Sequence, residues 1–315
     1  MSSETVVAIQ PNELPEIRSE LIEWLDSYIA HHLWDAASRR GAFEHLIGPP
    51  RPGDSRILRG TEIMRLEASE LVYASAGVVE LAKAAASSLP RFNLQREDVP
   101  MRGGLLVFET PPARIPNTGD VDVDAFDVAA VCWGPHPRWG DEAILVTVYM
   151  DRDKHGPAID QVAPRRSVMS GPRLVYTYST EIAWWYGEYD EPEGVPDDSV
   201  WRELSPILRS VWLLMGQESV TESQQVQAPR AARRRIQRAG REPGAVRLLS
   251  LRRPERSGKE QQGEREYQHQ WIVRGHWRQH WYPSRQVHRP IWIAPHIKGP
   301  EGAPLIGGEK VHVLR

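Results

Sequence analysis

The sequence contains one cysteine, Cys132, among 315 residues. This excludes an intramolecular disulfide, and it also excludes a zinc site built from several thiolates. No run approaches the roughly 18 consecutive apolar residues of a membrane-spanning helix. The first twenty residues also lack the basic segment followed by an apolar one that marks a signal peptide. We therefore expect a cytoplasmic protein with no membrane partner.

Several common catalytic and nucleotide-binding motifs are missing as well. The sequence has neither GxxxxGK[ST] nor GxGxxG, so no nucleotide-binding fold is indicated. It also lacks the GxSxG motif of many serine hydrolases. We expect no cofactor and no bound metal, and the sequence leaves open whether the protein is an enzyme.

The distribution of charge is uneven, although the net charge is only −3. Residues 230–315 carry 19 Lys and Arg against 7 Asp and Glu, whereas residues 1–229 carry 20 against 35. A basic C-terminal region suggests an anionic partner, such as nucleic acid or an acidic protein. Alternatively, the acidic and basic regions attract each other within the fold.

Hydrophobic spacing predicts an α+β protein. Apolar residues recur at helical intervals over 13–40 and 61–89. Short runs rich in β-branched and aromatic residues follow at 104–110, 126–133, 143–150 and 173–180, which predicts a mostly antiparallel sheet.

The chain is predicted to have two parts. Residues 1–190 would form an acidic α+β body of helices and sheet. Residues 199–315 would form a small basic module, rich in Arg, Trp and His, with helices and antiparallel strands. Within this module, the polar segments 219–228 and 253–266 are predicted to be mobile.

The unusual chemistry is concentrated in WIVRGHWRQHWYPS, residues 271–284. His276 and His280 are four residues apart, as in a zinc-protease helix, but no Glu or Asp lies between 267 and 300 to serve as base or third ligand. The Trp, Tyr, Ile and Val content favours a strand, predicted over 267–281. In a strand, Trp271, Val273, Trp277 and Trp281 would share one face, and Arg274, His276, Arg278 and His280 the other.

A row of cations interleaved with aromatic rings is typical of surfaces that bind nucleic acid. We therefore predict phosphate contacts from this strand face, from the cations that follow it and from an Arg-rich helix upstream. The predicted contact residues are Arg274, His276, Arg278, His280, Arg285, Arg289, Lys298, Arg233, Arg234 and Arg238. The ligand could be RNA or DNA.

Two alternatives remain open. A metal-independent ribonuclease of toxin type could use His276, Arg278 and His280 as base, acid and phosphate-stabilising cation. A protein-interaction or regulatory protein could instead direct the same basic face at an acidic partner.

The C-terminal third resembles an uncharacterised family of proteins from high-GC bacteria and their mobile elements. The resemblance rests on the order of an apolar helix, an Arg-rich helix and a strand, followed by the signature WxVRGHWR…R-x-x-W-I-x-P-H-x-K-G-P. It covers roughly residues 199 to 315 and implies a coherent module. It implies no catalytic residue.

Overall fold

A computed structural model describes residues 8–47, 49, 51–116, 125–154, 172–176, 182–187, 199–252 and 270–298. Seven α-helices lie in this part of the chain: α1 (Leu14–Leu25), α2 (Tyr28–Arg39), α3 (Glu44–Ile47), α4 (Asp54–Ala68), α5 (Ala76–Ala86), α6 (Val200–Met215) and α7 (Arg230–Arg238). None of the described helices combines the length and the hydrophobicity that a membrane span requires.

Fourteen strands lie among the same residues. They are β1 (Glu70–Ala74), β2 (Gly104–Phe108), β3 (Arg114–Pro116), β4 (Ala125–Asp127), β5 (Ala130–His136), β6 (Gly140–Asp151), β7 (Leu174–Tyr176), β8 (Ile182–Trp185), β9 (Thr221–Gln227), β10 (Ala245–Leu251), β11 (Trp271–Val273), β12 (His276–Tyr282), β13 (Val287–Ile293) and β14 (His296–Lys298).

Eight of these strands form one mixed sheet. Its order is β7-β6-β5-β2-β1-β10-β9, and β8 also pairs with β6. The central strand β1 is parallel to both β2 and β10, whereas the other pairs in the sheet are antiparallel. The α+β class predicted from the sequence is confirmed.

The strand β1 lies inside the segment 61–89, which was predicted to be one helix. That prediction is wrong, because α4 ends at Ala68 and α5 begins at Ala76. Apolar residues of β1 alternate between the two faces of the sheet: Leu71 and Tyr73 enter one core, and Val72 and Ala74 enter the other. A strand that is buried on both faces reads as a continuous apolar run, and such a run also fits a helix.

The basic C-terminal region contributes to the same sheet as the acidic N-terminal region. Strand β10 pairs with the central strand β1, and β9 pairs with β10 at the sheet edge. The described parts of residues 1–190 and 199–315 therefore share a sheet and its two hydrophobic cores.

The predicted mobile segment 219–228 is largely the edge strand β9. Its side chains at 222–225 are exposed, because an edge strand with one partner can be polar and still satisfy its backbone through the ladder with β10. The other predicted mobile segment, 253–266, lies outside the described residues.

Helices cover both faces of the sheet. One core packs α1, α2 and α4 against the sheet. The other core packs α5 and α6 against the opposite face, and it also takes in Trp277 and Trp292 from the C-terminal strands. Strands β12 and β13, which carry part of the predicted contact residues, are thus fixed to the second face.

Candidate nucleic-acid interface

The C-terminal strands β11–β14 form two successive two-stranded sheets, which we together call the C-terminal ribbon (residues 271–298). Strand β12 pairs with β13, and β11 pairs with β14, both antiparallel. The single strand predicted over 267–281 is interrupted at Arg274 and Gly275, and residues 267–269 lie outside the described part. A Cβ atom at Gly275 would lie 2.4 Å from Cζ2 of Trp292, so the close passage of the chain at this point requires glycine.

Two tryptophans anchor the ribbon to the body. Trp277 and Trp292 face each other across β12 and β13, with their ring centroids 5.3 Å apart in an edge-to-face arrangement. The indole Nε1 of Trp277 donates to the carbonyl oxygen of Ala85 at 2.9 Å, at the end of α5. The backbone N–H of Trp292 donates to Oε1 of Gln217 at 2.9 Å. These contacts hold the ribbon between α5 and the end of α6.

Arg289 provides a third anchor. Its guanidinium lies 3.4 Å from Glu97 Oε2 and 3.5 Å from Asp98 Oδ1, in the short 3-10 turn Arg96–Asp98. Burial raises the pKa of the Asp98 carboxyl, and the charges of Arg289 and Arg209 act in the opposite direction. Arg289 was predicted to contact nucleic acid, but its side chain is only 15% exposed and is paired with the acidic body.

The predicted cations of β12 are at least partly exposed. His276 and Arg278 are exposed and His280 is half-buried, and alternation places all three on the face opposite Trp277. Nδ1 of His276 lies 3.0 Å from the carbonyl oxygen of Arg274. Four residues of strand separate the two histidines by about 13 Å, so they cannot share one metal ion.

The tip of the ribbon carries one aromatic pair on each face. The side chain of Trp281 is 43% exposed and contacts His288 across the strands, with centroids 4.8 Å apart and planes at 46°. Tyr282 contacts His280 edge to face at 4.8 Å. Arg285 is exposed in the turn that follows, where Gln286 adopts a φ of 52°.

Trp281 lies on the same face as the core residue Trp277, as the alternation predicts, but this end of the face is exposed and does not join the core. The available signal was Pro283, which ends the strand two residues later and so places Trp281 near a turn.

At the other end of the ribbon, Arg274 and Lys298 are exposed. Lys298 is the register partner of Trp271 in the β11–β14 pair. The exposed predicted cations are thus distributed from the base of the ribbon to its tip; they are Arg274, His276, Arg278, Lys298 and Arg285.

The Arg-rich helix α7 lies elsewhere. Ala232 and Ile236 are buried, whereas Arg233, Arg234 and Arg238 are exposed. The helix packs against α1, where Arg235 pairs with Glu16 and Arg241 pairs with Glu23 at 2.9 Å. Since α1 covers the face of the sheet opposite to Trp277 and Trp292, the predicted contact residues of α7 do not join those of the ribbon in one surface.

A second group of polar side chains, which the sequence analysis missed, is buried under α4. Glu62 pairs with Arg65 and accepts a hydrogen bond from the hydroxyl of Tyr149, and all three are buried. Nearby, burial lowers the pKa of His136 to about 4, helped by the charges of Arg65 and Arg138. This group is enclosed in the core, and its residues are scattered along the sequence, so no local motif reveals it.

A pocket of about 220 Å³ lies beside the 3-10 turn Arg96–Asp98. Two of its lining arginines share one carboxylate: Asp141 lies 3.2 Å from Nε of Arg102 and 3.6 Å from Nη1 of Arg96. Within the described ranges, no three His, Cys, Asp or Glu side chains are grouped so that they could hold a metal ion.

Comparison of the sequence with protein-family models and with curated proteins gives no significant match. Among solved structures, the chain is similar to one described as the crystal structure of AcrVA2, with a TM-score of 0.40 and 12% identity over 90% of this chain and 93% of that one. A similarity of this size carries no inference about function.

Proposed function

We propose that this protein binds nucleic acid through the C-terminal ribbon and does not cleave it. The observation that carries the proposal is the exposed cation row. Arg278 is exposed on the face of β12 opposite Trp277, Arg285 is exposed in the turn at the tip, and the ribbon that holds them is anchored to the body. Guanidinium groups bind phosphate through paired hydrogen bonds, and their electrostatic attraction to phosphate is independent of base sequence.

The proposed interface is smaller than the set of residues predicted from the sequence. It contains Arg274, His276, Arg278, His280, Arg285 and Lys298. It omits Arg289, which is engaged by Glu97 and Asp98, and it omits the arginines of α7, which lie on the other face of the sheet.

A ribonuclease fits the same geometry less well. Cleavage by general acid–base catalysis needs a base and an acid that both reach one phosphate. His276 and His280 are about 13 Å apart along one strand. The residue opposite His280 is Arg289, whose guanidinium is already paired with two carboxylates. Binding is therefore the better-supported activity, and cleavage is one outcome of the test below.

The test measures binding of the full chain to labelled single-stranded RNA, single-stranded DNA and duplex DNA at low and physiological salt. The full chain is needed because β9 and β10 belong to the shared sheet. The interface variant Arg278→Gln/Arg285→Gln removes two exposed cations from the ribbon. The matched control Arg233→Gln/Arg234→Gln removes two exposed cations from α7.

We expect salt-sensitive binding by the wild type. The interface variant should bind more weakly. Its plot of log affinity against log salt should be less steep than that of the wild type by about 2, which corresponds to two lost phosphate contacts. The α7 variant should bind like the wild type, and the label should stay intact.

Three results would contradict this. Equal losses in both variants would mean that the interface is not confined to the ribbon. Cleavage of the label that disappears in His276→Ala would identify a ribonuclease. No binding at low salt would reject nucleic acid as the ligand and would favour an acidic protein partner.

A further inference from the structure

We infer that the paired rings of Trp281 and His288 form a platform for an unpaired base, so that the ligand of the C-terminal ribbon is single-stranded. This inference rests on the proposed function, because it specifies which nucleic acid the same ribbon takes.

Three tryptophans on one face of β12 and β13 are buried to different extents. Trp277 and Trp292 are 9% and 6% exposed, and both pack into the core beneath the ribbon. Trp281 lies on the same face by alternation, yet it is 43% exposed. The ribbon therefore extends past the edge of the core, and its third tryptophan faces solvent.

The indole of Trp281 is held in place while it is exposed. It lies directly opposite His288 in the strand register, and the two rings are 4.8 Å apart. A ring already fixed by a neighbour loses little conformational freedom when a ligand stacks on it, so less binding energy is spent on ordering it.

An exposed cation follows this ring in the turn at the tip of the ribbon. Arg285 comes four residues after Trp281, whereas Arg278 lies on the opposite face of β12 by alternation. A nucleic-acid strand that stacks a base against the indole could place a neighbouring phosphate near the Arg285 guanidinium. Aromatic rings combined with nearby cations bind single strands without a strong sequence preference.

A duplex fits this arrangement poorly. Its bases are stacked on one another, so their faces are not available to a side chain unless a base is first unstacked at a cost of a few kcal/mol. Single strands, loops and strand ends offer free base faces. The exposed indole therefore favours a single-stranded ligand over a duplex of the same charge.

The experiment compares Trp281→Ala and Trp281→Phe with the wild-type full chain. The probes are a labelled oligothymidine, an abasic oligodeoxynucleotide of equal length, and a duplex of equal length. Tyr28→Ala is the control, because Tyr28 is 76% exposed on α2, on the other face of the sheet. Urea unfolding of each variant checks that the fold is intact.

We expect Trp281→Ala to weaken oligothymidine binding by about 5- to 100-fold, the range measured when one stacking ring is lost. Trp281→Phe should retain most of the affinity, since it keeps a ring. Neither variant should change binding of the abasic strand, which has phosphates but no base to stack. Tyr28→Ala should match the wild type throughout.

Failure of the platform can be distinguished from failure of the proposed function. If Trp281→Ala binds oligothymidine like the wild type, and binding remains salt-sensitive, the platform is rejected and the proposed function stands. If the wild type binds none of the strands, both are rejected.

A parallel experiment uses vesicles of phosphatidylcholine and phosphatidylserine. Vesicle binding that depends on Trp281, without strand binding, would assign the exposed indole to a lipid surface and overturn the inference.

Discussion

The indole Nε1 of Trp277 donates a hydrogen bond of 2.9 Å to the carbonyl oxygen of Ala85, and this bond fixes the C-terminal ribbon to the end of α5. The two residues are 192 positions apart in the chain. The position of every exposed cation on β12 therefore depends on a contact with a helix from the N-terminal region.

Replacing Trp277 with Phe should destabilise the protein. The change removes a buried hydrogen bond and leaves a small cavity, so we expect the free energy of unfolding to fall by about 1–3 kcal/mol. Trp281→Phe, at an exposed position of the same strand face, should change it by less than about 0.5 kcal/mol. Urea unfolding of both variants measures the difference, and equal effects would show that Trp277 does not anchor the ribbon.

The buried pair of Glu62 and Arg65 predicts a large and non-additive effect. Glu62→Leu leaves a guanidinium buried without its carboxylate, so we expect a loss of about 3–5 kcal/mol. The double variant Glu62→Leu/Arg65→Met should lose less than the sum of the two single variants, because neither charge is then left alone.

A matched exposed pair on α5 serves as the control. Glu80 and Lys83 have the same i,i+3 spacing, but their side chains are 52% and 38% exposed. Glu80→Gln should therefore change stability by less than about 1 kcal/mol. A double-mutant cycle by urea unfolding tests both pairs, and additive losses at Glu62 and Arg65 would contradict the coupling.

Stability should fall as the pH decreases from about 6.5 towards 4, in part because of His136. Its pKa in the fold is about 4, below the ordinary value of 6.5, since burial disfavours the charged ring. Between these values the unfolded chain takes up a proton that the folded chain does not, so the contribution of His136 is complete above pH 6.5 and is lost through pH 4. We expect this contribution to be about 2–3 kcal/mol.

The variant His136→Asn isolates that contribution. Nδ1 of His136 accepts the backbone N–H of Arg138 at 3.1 Å, and an asparagine carbonyl can accept the same bond without titrating. The unfolding free energy of the wild type, measured relative to that of the variant, should fall as the pH decreases from 7 to 4, because only the wild type titrates at this position. A difference that stays constant over this range would mean that His136 does not titrate as expected.

Two glycines should respond in opposite ways to alanine. Gly275→Ala places a Cβ atom 2.4 Å from the buried ring of Trp292, so we expect a loss of about 1–3 kcal/mol from overpacking. Gly60→Ala lies within α4 with nothing within 4 Å of the new atom, so it should stabilise the protein by up to about 1 kcal/mol. Thermal or urea unfolding gives the sign, and a neutral Gly275→Ala would show that the ribbon can adjust there.

Local patterns predicted several elements near their observed positions. The apolar helix α6, the Arg-rich helix α7 and the strands β2 and β6 each follow from spacing and turn residues in their own segment. The alternation of faces in β12 was also readable, because it depends only on the two-residue period of a strand.

The pairing of strands from distant segments could not be predicted from the local sequence. The strand β1 was hidden within a helix-like run, and its two parallel partners come from segments more than 25 and more than 170 residues later in the chain. Which cations stay exposed also depends on such pairing. Arg289 and Lys298 look alike as basic residues of one segment, but only Arg289 meets Glu97 and Asp98.

The sequence by itself determined the α+β composition, the concentration of positive charge after residue 230 and the period-two arrangement of the HWRQH strand, because these depend on residue types and short-range spacing. Only the tertiary structure decided that the basic region completes the central sheet and that α7 lies on the opposite face from the ribbon. It also decided that Trp281 extends beyond the core while Trp277 is buried in it. These outcomes depend on which distant surfaces bury each other, and that is a property of the packed chain as a whole.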